Sequence, residues 1–259
     1  MAFPSVLSRS TLASIDDGNY DEVVYTLPSH SAGDLAIIIW VDEANSGEWT
    51  AETAGWTTLA SGGYWDWGSA PGIGVYAKKL TAETTATFRS PSYPTASAGW
   101  SMICILIDAG TWDDTGDLTD SIELNPDCDN VGRSGAGTLS LSSLTLTPTG
   151  GAKDYLWFVG AGIRDDEITL TTSTTGVPTG YSNFTAVNAG EGVNNCSSIW
   201  IVDKEANASS ETPGDSETTH AQWHGSIQFV VHPAADTGGA NPHNPLGHPL
   251  KGPFGGPIG

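Results

Sequence analysis

Residues 34–41 read DLAIIIWV and residues 100–107 read WSMICILI. Both runs are strand-sized and far short of the ~18 apolar residues of a membrane-spanning helix. Neither shows the polar–apolar alternation of a strand with one wet face. A short continuous apolar run rich in β-branched and aromatic residues reads as a central strand covered on both faces. Runs of similar kind follow at 73–79 (IGVYAKK), 154–160 (DYLWFVG), 198–203 (SIWIVD) and 224–231 (HGSIQFVV), with shorter ones at 22–27, 84–89 and 167–172. Gly, Pro, Asn, Asp, Ser and Thr punctuate them, and no segment sustains a 3.6-residue period. Many short strands between turn signals predict an all-β fold, a two-sheet antiparallel β-sandwich of jelly-roll-like kind. Residues 138–147 (TLSLSSLTLT) read as a further strand whose alternation slips by one position at Ser142–Ser143, where a β-bulge would restore the inward face.

The two halves of the chain echo each other. TLPSHSAGDLAIIIWVD, AGWTTL, GVYAKKL and AGWSMICILID are followed by TLTPTGGAKDYLWFVGAG, TGYSNF, IWIVDKEA and AQWHGSIQFVVH. Asp34 aligns with Asp154, Gly55–Trp56 with Gly180–Tyr181, Lys78 with Lys204, and Trp100 with Trp223. A repeat of this length is not a solenoid unit. It predicts two sequence-related sets of strands, about 20–110 and 138–232, forming one sandwich domain over 1–232; two separate small domains are the alternative. The matched residues read structurally: the aspartates cap turns into strands, and each Gly–aromatic pair marks a turn followed by a core ring.

This order (T-x-P, GDL with an apolar run, GW-T-L, VYAK, then W with an apolar run) resembles a group of β-sandwich proteins of tailed bacteriophages and marine bacteria. They are considered tail, fibre or other virion structural proteins. The resemblance covers roughly residues 20–232, and the second half departs from it with KDYLWFV in place of the GDL turn. It implies a structural or adhesive role in a virion and carries over no catalytic residue.

Composition narrows the partners. The chain has 259 residues and carries 30 Asp+Glu against 9 Lys+Arg, a formal charge of −21. Nucleic-acid binding depends on phosphate neutralisation, which this surface opposes. An anionic membrane face is excluded on the same ground. The acidity fits a protein kept soluble at high concentration or high salt. The N-terminal MAFPSVLSRSTLAS lacks a charged segment followed by an apolar one, so classical secretion is not expected. Cys104 sits inside an apolar run and reads as a small buried hydrophobe. A Cys128–Cys196 disulfide is compatible with the sequence, but nothing requires it.

Catalytic signatures are scarce. No GxSxG, HExxH or P-loop is present, and GIGVYA and GAGIRD are too short for a dinucleotide fingerprint. His220 and His224 lack a third ligand for a metal. Asp113, Asp114 and Asp117 in DDTGD are closer to a solvated acidic turn than to a calcium loop, lacking the distal Glu. No enzyme activity and no cofactor are expected.

Two segments remain. Residues 62–72, GGYWDWGSAPG, place Tyr64, Trp65 and Trp67 in a Gly-rich loop at an edge or end of the sandwich. Such rings serve as protein-interface anchors, as the rim of the core, or as a glycan platform with nearby Asp. Residues 233–259 hold six prolines and seven glycines and end in four tetrads, NPLG, HPLK, GPFG and GPIG. Each tetrad carries Pro followed by one large apolar residue: Leu246, Leu250, Phe254 and Ile258. A plain linker needs no such spacing. Proline lowers the entropy lost when an extended chain docks, so the stretch reads as an arm that lays four anchors on a partner. The resulting expectation is a non-enzymatic bacteriophage virion structural protein, a fibre, tail or capsid-decoration component. Its partners would be further copies of itself or other virion proteins. The alternative is a glycan-binding adhesin acting on a host-surface glycan through Tyr64–Trp67, and a hydrolase accessory domain is a third.

Overall fold

The computed structural model describes residues 2–15, 22–42, 50–62, 72–89, 99–125, 130–133, 141, 144–164, 176–189, 197–216 and 223–235. They form an all-β sandwich of antiparallel sheets; the helix among them is a single turn, α1 (Leu118–Ser121). Sheet 1 has five strands in the order β1 (Val6–Ile15), β8 (Gly99–Ile107), β3 (Leu35–Asp42), β6 (Gly72–Lys79), β5 (Thr57–Gly62). Sheet 2 has the order β10 (Asn130–Arg133), β14 (Trp223–Val231), β11 (Lys153–Arg164), β13 (Ser197–Ala208), β12 (Ser182–Asn188). A short strand, β9 (Ile122–Leu124), shares the outer edge of β14 with β10. Sheet 3 is small: β2 (Val23–Thr26), β7 (Thr85–Arg89), β4 (Thr50–Ala51). Strands from the N-terminal half build sheets 1 and 3, and strands from the C-terminal half build sheet 2.

Strand period decides the layers, because successive side chains of a strand point to opposite faces. In β3, Leu35, Ile37, Ile39 and Val41 face sheet 2, joined by Ile103 and Ile105 of β8. They meet Leu156, Phe158, Ile199, Ile201, Ile227 and Phe229, and the Phe158 and Phe229 rings stack at 4.7 Å between centroids. The intervening Ala36, Ile38 and Trp40 face the other way, with Tyr76, Met102 and Cys104, onto Tyr25, Ala86 and Phe88 of sheet 3. All eight residues of β3 are therefore buried. The outer face of sheet 2 (Tyr155, Trp157, Val159, Trp200, Val202) is covered in turn by Leu141, Leu144, Leu146 and Tyr181. The described architecture thus has four layers: two principal sheets, each roofed on its outer side.

That last cover corrects one expectation. Leu141, Leu144 and Leu146 are all buried, so the one-residue slip is real in its side chains. The described part of 138–147 is nonetheless no strand. The Leu144 N–H donates to the Leu141 carbonyl at 2.9 Å, a turn bond and not a ladder bond, and Leu146 has only an isolated bridge to Glu211. Ser142 and Ser143 lie outside the described residues, as do residues 167–172.

Two glycines mark close approaches, Gly74 to its cross-strand partner in sheet 1 and Gly162 to the facing sheet. A Cβ on Gly74 would fall on the Trp40 indole nitrogen, and one on Gly162 would fall on a Val41 methyl across the inter-sheet core. The short GIG and GAG stretches of β6 and β11 are thus places of close approach. We expect Gly74→Ala to destabilise the fold by about 1–3 kcal/mol in urea titration, because the indole must move. Gly214→Ala, where a Cβ meets nothing within 4 Å, should change stability by less than about 0.5 kcal/mol.

Candidate functional site

The strand registers divide the sandwich into two poles. At one pole lie Ile15, Asp42, Gly62, Gly72 and Gly99 of sheet 1 and Arg133, Arg164, Ser197 and Trp223 of sheet 2. The two sheets are tied there by buried hydroxyls. Ser101 Oγ donates to the Ser197 carbonyl at 2.7 Å, and Ser197 Oγ donates to the Val41 carbonyl at 3.2 Å. Asp42 and Trp100, paired across β3 and β8, are both buried beside this tie.

Gly62 and Gly72, the described residues that bracket 63–71, belong to this pole. The loop residues Tyr64, Trp65 and Trp67 themselves lie outside the described residues. The strand ends beside 43–49, 90–98, 165–175, 190–196 and 217–222 are at the same pole.

The opposite pole is closed by short described connections. Asp34 opens β3 as expected of a turn cap: its carboxylate accepts from the Ser31 N–H at 2.7 Å and the Ala109 N–H at 3.0 Å. Asp154 behaves differently, accepting from the Asn207 amide across β11 and β13 at 2.7 Å. Residues 108–121 cross from β8 of sheet 1 to β9 of sheet 2 and carry the DDTGD stretch. Asp113 accepts from the Thr115 hydroxyl and N–H, which hold its carboxyl below the usual range. Asp114 pairs with Lys79 at 2.6 Å, and Asp117 precedes the single turn of α1 without capping it by its side chain. Among the described residues no group of three or more His, Cys, Asp or Glu is placed to hold a metal ion.

Both chain ends of the sandwich meet at this pole. The Ser5 N–H donates to Thr111 Oγ1, and Pro233 bridges Trp112. The Ala234 N–H donates to the Thr111 carbonyl at 3.0 Å. Pro233 and Ala234 are therefore attached to the sandwich, although the stretch read as an arm begins at 233. Leu246, Leu250, Phe254 and Ile258 lie outside the described residues, as do His220, Cys128 and Cys196.

The remaining sequence-marked residues have structural surroundings. Gly55 and Gly180 adopt positive φ (87° and 85°), and each is followed by an aromatic: Trp56 edges onto Phe88, and Tyr181 lies under the Lys204 ammonium. Lys78 is held by the Ala54 carbonyl at 2.7 Å and by Glu83 at 2.8 Å, and Lys204 by Glu211 at 2.7 Å. Cys104 is buried, and burial pushes its thiol up to about 12, which makes it inert. His224 is buried on β14.

Two polar contacts were invisible in the sequence. His232 Nε2 lies 2.6 Å from Glu123 Oε1, and Arg9 of β1 pairs with Asp203 of β13. The second contact closes the edge between the two sheets, and Asn183, itself at positive φ, donates to the other Asp203 oxygen at 3.1 Å. No protein-family model, curated protein or solved structure matches this chain.

The Arg9–Asp203 contact gives a pH-dependent expectation. Burial raises the Asp203 carboxyl above its ordinary value near 3.8, with Arg9 opposing the shift. A carboxyl whose folded pKa is raised favours the fold when protonated, and that contribution is lost as pH rises through the folded pKa. Arg9→Met removes the opposing cation and raises the Asp203 pKa further. We expect a cost of about 3 kcal/mol at neutral pH, typical of a buried pair broken on one side. The deficit should shrink as pH falls towards about 4, read from denaturant midpoints across the range.

Proposed function

We propose that the chain is a non-enzymatic virion structural subunit of the fibre, tail or capsid-decoration kind, held in its assembly by the C-terminal arm. The observation that carries this reading is the polarity of the sandwich. The described residues at the start of the arm, Pro233 and Ala234, are fixed at one pole. The strand ends that bracket the longer connecting segments are gathered at the other. A subunit attached at one end and presenting loops at the opposite end suits a particle surface. The β-sandwich resemblance of residues 20–232 and the strongly acidic surface support the same reading.

The four apolar anchors, at Leu246, Leu250, Phe254 and Ile258, contribute about 1.5–3 kcal/mol each on burial, before ordering costs. We further read the two halves as related copies. In support, sheet 1 and sheet 2 share one order, in which the fourth, first, third and second of the four strands that each half gives to its principal sheet lie side by side (β8-β3-β6-β5 and β14-β11-β13-β12).

A second reading, a glycan-binding adhesin acting through Tyr64, Trp65 and Trp67, is favoured by the position of Gly62 and Gly72 at the pole away from the arm root. The two readings separate experimentally. A chain ending at Ala235 should keep the thermal midpoint of the full protein and lose oligomer formation or incorporation into particles. Normal assembly of the truncated chain would refute the arm as the assembly element. Binding to a glycan array that disappears in Trp65→Ala/Trp67→Ala, with folding intact, would establish the adhesin instead.

A further inference from the structure

His232 is the last residue of the sandwich before the Pro233–Ala235 strap, and its surroundings are built. Its backbone is held on both sides: the His232 N–H donates to the Ser121 carbonyl at 2.9 Å, and its carbonyl accepts from the Asp113 N–H at 3.0 Å. The ring is nearly sealed from solvent, 4% exposed for the residue, with Tyr155 edge-on at 5.0 Å. Nε2 faces Glu123 Oε1 at 2.6 Å. Glu123 is itself held, accepting from the Thr149 N–H at 3.0 Å and from its hydroxyl at 2.9 Å. One imidazole thus joins the strap root, β9 and the turn before β11.

We propose that His232 is an acid-sensitive latch that fixes the root of the C-terminal arm to the sandwich, so that mild acidification frees Pro233 and Ala234. The proposal rests on the arm being the assembly element, and it supplies that element with a trigger. Four titratable or charged groups face the ring: Glu123 from β9, Asp113 from the crossing segment, and Lys153 and Tyr155 from β11. Glu123 and Asp113 favour the protonated ring; Lys153 opposes it, and burial opposes it most, so the His232 pKa lies below its ordinary 6.5. A base with a depressed folded pKa is neutral in the closed state. Its opened state takes up a proton first, so closure is fully favoured above the ordinary pKa and weakens as pH falls through about 6.5 towards the folded value. The strap is the part of the molecule best placed to yield. Among the described residues it is held by the two backbone bonds of one bridge, Ala234 N–H to Thr111 and Asp113 N–H to His232, whereas β14 behind it is paired on both edges.

The test is amide hydrogen exchange on the full-length protein, comparing the Ala234 and Asp113 amides with core amides of β3 and correcting for intrinsic exchange. Between about pH 7.5 and about pH 5.5, the opening ratio at Ala234 and Asp113 should rise about threefold or more while β3 is unchanged. In His232→Gln, which keeps a side-chain donor but cannot titrate, the difference should vanish. In Glu123→Gln the response should keep its onset at about pH 6.5 and continue to lower pH, because removing a group that favours the protonated ring lowers the closed-state pKa and leaves the opened-state value unchanged. Equal protection of Ala234 at both pH values in the wild type would overturn the latch, even if His232→Gln failed to fold. So would an undiminished pH response in a folded His232→Gln protein. Either result leaves the arm's role in assembly to be judged separately by the chain ending at Ala235.

Discussion

A strand buried at every position has no face left for water, and that is the condition of β3. Its odd residues need one apolar partner surface and its even residues another. Sheet 2 supplies the first, through Phe158, Ile201 and Phe229, and sheet 3 the second, through Tyr25 and Phe88. β8 is under the same constraint, with all nine residues buried. Sheet 2 passes the demand on, since its own outer face is apolar and must be roofed by Leu141, Leu144, Leu146 and Tyr181. The layer order follows from this chain of demands. So does the mutual dependence of the two halves, because the largest buried cluster contains residues of both.

A framework covered in this way differs at its two poles. At the arm pole the backbone is tightly hydrogen-bonded, Ser5, Pro233 and Ala234 are attached to Thr111–Trp112, and Asp113 and Asp114 of the acidic crossing segment are held by Thr115 and Lys79. At the other pole the sheets are pinched together by small groups, Gly162 against Val41 and Ser101 against Ser197. The division between a fixed end and an end where strands border the longer connecting segments is what the proposed structural role draws on.

The sequence made the central strands legible for a simple reason: burial on both faces writes an unbroken apolar run. DLAIIIWV and WSMICILI became β3 and β8 within one residue of their expected bounds, whereas DYLWFVG and SIWIVD became the opening parts of β11 and β13, which run on to Arg164 and Ala208. Of the edge strands, β2 was legible at 22–27 but β1 was not. VLSRSTLASI forms β1, but its residues are only partly buried, so Ser, Arg and Thr interrupt the apolar signal. TLSLSSLTLT had the opposite problem. Its leucines are spaced to cover a face, and periodicity alone does not distinguish a covering segment from a strand. The polar contacts had no local signal: Glu123 and His232 are 109 residues apart, and Arg9 and Asp203 are 194 apart. Such pairs depend on which strands become neighbours. At the two segments singled out for function, Tyr64–Trp67 and the C-terminal tetrads, the legible part was chemical type, apolar anchors in Gly- and Pro-rich chain.

The central claim is that one inter-sheet core makes the two halves a single cooperative unit. Differential scanning calorimetry of the chain ending at Ala235 tests it most directly. One endotherm whose calorimetric and van't Hoff enthalpies agree is the predicted result, because Phe158 and Ile37 cannot lose each other without exposing both principal sheets. Two resolved transitions, one for sheets 1 and 3 and one for sheet 2, would contradict it.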